Sequence, residues 1–94
     1  MSENQFISVE LVCNSYRIAH SWVEELADQG LIQIHTVETQ GHCVELDHLA
    51  TLERMINLNQ DLGVNVAGIE VIMNLLNRIE QLEKELTDRS VLLG

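Results

Sequence analysis

From Val66 to about Leu92 the chain keeps one apolar stripe with no proline and no turn signal, and this run most limits what the rest can become. Ile72, Ile79, Leu86 and Leu93 fall at the a positions of a heptad and Leu75 and Leu82 at d, until Arg89 breaks the pattern. Leu76 widens the stripe near its start, as suits an end that also packs on its own domain. Glu80, Glu83, Lys84, Glu85 and Asp88 lie on the solvated flank. About three heptads are short for an independent coiled coil but sufficient for a helix that docks on a partner helix. The reading is a long C-terminal helix with a homodimer contact through Ile72, Leu75, Ile79, Leu82 and Leu86. A long helix folded back on the same chain is the alternative.

Upstream, the punctuation predicts short elements. Ser8 can cap a first helix whose apolar face is Leu11 and Val12 and which ends near Asn14. Ser21 with Glu24 three residues on has the capping-box spacing, and Trp22, Val23, Leu26 and Ala27 follow a helical period until Gly30. Two short helices joined across Asn14 to His20 have the dimensions of a helix-turn-helix. Leu31 to Glu38 alternates and is rich in β-branched residues, and a second run, Cys43 to Leu46, follows Thr39-Gln40-Gly41-His42. Together these predict a β-hairpin wing. Asp47 would cap a third helix with Leu49, Leu52, Met55, Ile56 and Leu58 on one face, ended by Gly63, and Asn65 would cap the last helix. With no linker and no repeat, residues 1–64 and 65–94 read as two parts of one continuous domain.

The chain has 94 residues, too few for separate catalytic and partner domains. Its net charge is −10, and the charge is uneven. Up to Ala50 there are eight acids against Arg17 alone; the remainder has seven acids against four bases. A nucleic-acid binder must set several cations against phosphates, so this balance argues against nucleic acid and against an anionic membrane surface. No apolar run approaches a membrane span, and Met1 to Ile7 lacks the basic and long apolar regions of a signal peptide. A cytoplasmic location is expected, with Cys13 and Cys43 as reduced, buried thiols.

Residues able to carry chemistry are few. The sequence has no glycine-rich phosphate loop, no Gly-x-Ser-x-Gly elbow and no His-Glu-x-x-His helix, so no enzyme and no cofactor are expected. His35, His42, Cys43 and His48, with Cys13 and His20, have no metal-ligand spacing. A hairpin would also turn His42 and Cys43 to opposite faces, so the expectation is no metal site. The acids Glu24, Glu25 and Asp28 fall on the second helix of the helix-turn-helix, the element that enters the major groove in a DNA reader, where acids repel phosphate. They form either an ordinary solvated face or a surface that grips a basic protein.

The arrangement resembles the MerR-like winged helix-turn-helix. Ile7-Ser8-Val9 opens the first helix, Gly30-Leu31-Ile32 leads into the wing and Leu62-Gly63-Val64-Asn65 leads into the last helix. The fold class expected is therefore mainly α, with a small hairpin wing and a long C-terminal helix. Regulators of that group usually carry Arg-Tyr-Tyr-Glu just before the Gly-Leu; here Glu24, Glu25, Leu26 and Ala27 stand there, which argues against DNA recognition.

Within the group the sequence looks most like the CbpM chaperone modulators, from about Phe6 to Leu86. The resemblance is densest over Asp61-Leu62-Gly63-Val64-Asn65-Val66-Ala67-Gly68-Ile69-Glu70-Val71-Ile72 and over Leu75 to Glu80. It implies a protein that binds the J-domain of a CbpA-type DnaJ co-chaperone and inhibits its work with a DnaK-type chaperone. The alternative is a MerR-like transcriptional regulator that binds DNA. Glu24, Glu25 and Asp28 are the leading partner-binding residues. Trp22 would be an apolar anchor if exposed and otherwise a core residue, and Val66, Ile69 and Glu70 form a second candidate contact.

Overall fold

In the computed structural model, which describes residues 5–93 and their side chains to Arg89, the chain opens as a strand rather than a helix. β1 (Phe6–Ser8) runs directly into α1 (Val9–Tyr16), and Ser8 serves both elements. It is the last strand residue, and its Oγ accepts from the Leu11 amide at 3.0 Å as the helix cap. α1 continues two residues beyond the expected end at Asn14. Arg17 closes it at φ 56° and ψ 51°, its amide bonded back to the Cys13 carbonyl.

α2 (His20–Asp28) begins one residue before the expected cap. The Ile18 amide also bonds to the Cys13 carbonyl at 3.0 Å, and Ile18 packs against the core, so the turn is fixed early. The Ala19 carbonyl then receives Trp22 N at 3.1 Å, which leaves Ser21 inside the first turn with no capping role.

The wing is shorter than the alternation suggested. β2 covers His35–Val37 and β3 covers Gly41–Glu45. Leu31, Ile32 and Ile34 do not extend β2, because all three lean on the core instead of alternating about a strand, and the Leu31 amide is already held by the Leu26 carbonyl at 2.9 Å. Between the strands the Gln40 amide closes a turn onto the Val37 carbonyl at 3.1 Å. Gly41 follows at φ 75°, a three-residue loop that needs a residue free to adopt the left-handed region.

The sheet order is β1-β3-β2, all antiparallel, with Ile7 opposite Val44 and Thr36 opposite His42. The sequence pattern does not predict strand β1 and sets Ile7-Ser8-Val9 at the opening of the first helix. Three residues are too few for a period-two pattern to register.

A single 3-10 turn (Leu46–His48) leads to α3 (Leu49–Leu62). Asp47 is exposed in that turn and makes no cap, because the Leu46 amide is drawn to the Gln5 carbonyl at 2.8 Å and tightens the approach. Gly63 ends α3 at φ 68°, as expected. Asn65 caps α4 (Val66–Leu93) through Oδ1, which accepts from the Gly68 amide at 2.9 Å.

One apolar cluster joins the elements: Val9, Val12 and Cys13 of α1, Val23 and Leu26 of α2, Val44 of β3, Leu52, Met55 and Ile56 of α3, and Val66, Ile69 and Met73 of α4. Among the described residues no polar or charged side chain is buried, so the core is held by apolar burial. Among the described residues Leu76 is the last of α4 that packs against it, and from there to Arg89 the helix runs clear of the core. Among the described residues no helix is long and apolar enough to cross a membrane.

Candidate protein interface

The second helix and the wing face each other across an open groove. His20, Glu24 and Asp28 succeed one another at intervals of four along α2 and so share one face. Val9 and Ile34 lie at the base, and Thr36 and His42, a cross-strand pair of the hairpin, form the opposite wall. Glu24, Glu25 and Asp28 are all exposed. Glu25 is outside the groove, because one residue of advance turns a helical side chain by about 100°. The structure therefore divides the three acids into a facing pair and an outlier. The spacing of His20, Glu24 and Asp28 was legible in the sequence; the arrival of Ile34, Thr36 and His42 opposite them depends on the wing.

From Ile18 to Glu53, a stretch that contains α2 and the wing, there are seven acids and no Lys or Arg. Among the described residues the ion-pair contacts of the wing involve only histidine. His35 Nε2 lies 3.4 Å from Glu45 Oε1 without hydrogen-bond alignment, and His48 Nδ1 lies 3.8 Å from Glu45 Oε2. The His35 ring also stands edge-on to Phe6, with centroids 5.2 Å apart, which locks the imidazole against β1.

Cys13 and Cys43 are both buried free thiols, and Cys43 Sγ donates to Gln40 Oε1 at 3.4 Å. Among the described residues no three His, Cys, Asp or Glu side chains are gathered so as to hold a metal ion.

Trp22 is half-buried and packs against the core, so its indole is part of the scaffold and only in part available to a partner. Val66 and Ile69 were expected as a second contact, and here the structure corrects the reading. They are 6% and 0% exposed, on the inward face of α4 with Met73, and only the half-buried Glu70 retains access to solvent.

The stripe on α4 is different. Leu75, Ile79, Leu82 and Leu86 are between 49% and 64% exposed, and Ile72 is half-buried. The side chain of Leu93 lies outside the described residues.

Two short helices across a tight turn, a hairpin beside the second, and a long terminal helix define a winged helix-turn-helix protein. The chain belongs to the MerR HTH family of regulatory proteins, whose family model matches residues 7–89. No curated protein and no solved structure matches it.

Proposed function

We propose that the chain is a regulatory binding module of the CbpM kind, which covers the J-domain of a CbpA-type DnaJ co-chaperone and so limits its stimulation of a DnaK-type chaperone. The observation that carries this reading is the acidic recognition surface: α2 and the wing, the parts of this fold that meet phosphates in a DNA reader, contain no Lys or Arg. A J-domain presents a basic helix beside its His-Pro-Asp loop, and an acidic surface complements it in charge, which speeds encounter and selects the partner. The resemblance over Phe6 to Leu86 points the same way. The module needs no chemistry of its own, because occlusion of a docking surface is sufficient. Two copies pair through the exposed α4 stripe, where four large apolar side chains face solvent in the single chain.

The test is calorimetric titration of the full chain with a J-domain, alongside the combined substitutions Glu24→Lys, Glu25→Lys and Asp28→Lys. The charge-reversed chain binds well over tenfold more weakly, beyond either single neutral substitution, and with a flattened salt dependence. In parallel, duplex DNA at low salt shows no retardation by the wild-type chain, where even non-specific DNA binders retain affinity. Retardation of DNA together with no heat on J-domain addition would return the chain to the transcriptional regulators.

A further inference from the structure

The groove between α2 and the wing has features that a generally acidic surface does not. Glu24 and Asp28 stand four residues apart on one helix face, with Cβ atoms about 5–6 Å apart. Among the described residues neither has an ion-pair partner. Beneath them the base is apolar, from Val9 and Ile34; His20 stands one turn before Glu24 on the same face, and the far wall offers the Thr36 hydroxyl and the His42 imidazole.

This combination disfavours a phosphate, which the carboxylates repel. It also disfavours a bare metal ion, for which no three ligands are gathered. It suits a cation carried on an apolar stem, whose methylenes cover Val9 and Ile34 while the charged head lies between the two carboxylates. We propose that the groove seats one arginine or lysine side chain projecting from a basic helix of the partner. The seat specifies the contact within the protein-binding reading above and rests on it. Arginine fits better than lysine, because a planar guanidinium presents parallel donors to two acceptors whereas an ammonium is a point charge.

The seat makes Glu24 and Asp28 unequal to Glu25, although all three are exposed acids on the same helix. The experiment titrates the full chain and its Glu24→Gln, Asp28→Asn and Glu25→Gln variants with two probes. One is a J-domain; the other is a synthetic amphipathic helical peptide with arginines on its polar face, paired with a control peptide in which citrulline replaces arginine. Circular dichroism confirms that the variants fold.

Glu24→Gln and Asp28→Asn each weaken binding by about tenfold and Glu25→Gln by less than about twofold. The citrulline peptide does not bind, and the Ile34 methyl and Thr36 amide resonances move only with the arginine peptide. If the J-domain binds and the three variants lose affinity equally, the seat is overturned and the J-domain reading stands. If the arginine peptide moves Ile34 while the J-domain does not bind, the seat stands and the J-domain reading falls. If neither probe binds, both fall.

Discussion

Cys13 and Tyr16 lie one turn apart at the end of α1, and both resist ionisation. Burial pushes the Cys13 thiol up. Tyr16 is raised first by desolvation and then by Glu53, whose carboxylate accepts from the phenol and opposes a second negative charge beside it. In each case the folded chain holds the proton more tightly than the unfolded chain. Their contribution to stability is therefore complete below the ordinary thiol and phenol values and is lost as pH rises through the raised folded ones. Thermal melts from about pH 8 to about pH 11 show a falling midpoint. The decline is shallower in a chain carrying Cys13→Ala and Tyr16→Phe. An equal decline in the two chains would assign the alkaline sensitivity to other groups.

At the scale of elements, the helix-turn-helix corner depends on Arg17, the one non-glycine residue described at positive φ. An L side chain pays about 1–2 kcal/mol to sit in the left-handed region, part of which glycine recovers. Arg17→Gly accordingly raises stability by about 1 kcal/mol, or roughly 4–8 °C in the melting midpoint for a domain of this size. A lower midpoint would mean that the guanidinium holds the corner by contacts of its own. This corner also marks where sequence stops being legible. Ser8, Gly63 and Asn65 could be read in advance because each acts on amides or carbonyls within a few residues of itself. Ser21 and Asp47 have equally good local chemistry and make no cap: the Ile18 amide, bonded back to Cys13, lets α2 start early, and the Leu46 amide, bonded to Gln5 far off in the sequence, sets the approach to α3. Strand β1 exists only because β3 reaches it from nearly forty residues away. Of the candidate interface, the acids on α2 were visible and the wall opposite them was not.

For the whole molecule, charge and apolar surface are segregated. The acidic half carries α2 and the wing, while the apolar excess is on the exposed part of α4, a helix about 42 Å long. If that stripe pairs two copies, stability is linked to concentration, and the melting midpoint falls on dilution. Ile79 and Leu82 do not pack against the core. Replacing both by Lys therefore yields a monomer in sedimentation equilibrium, with the helical circular dichroism of the folded core retained. A wild-type chain that sediments as a monomer at high concentration would remove the pairing.

The position of β3 has a further consequence. It is the middle strand, bonded on one side to β1, which runs straight into α1, and on the other to β2, which forms the wall opposite α2. The wing is thus tied to α1 through main-chain hydrogen bonds. Helix α2 follows α1 across the turn held by the Cys13 carbonyl and packs in the same core, so the space between α2 and the wing is set before any ligand arrives. A guest there meets a mould and forgoes most of the ordering entropy that a loose hairpin would lose on capture. The free and occupied backbones should superimpose closely.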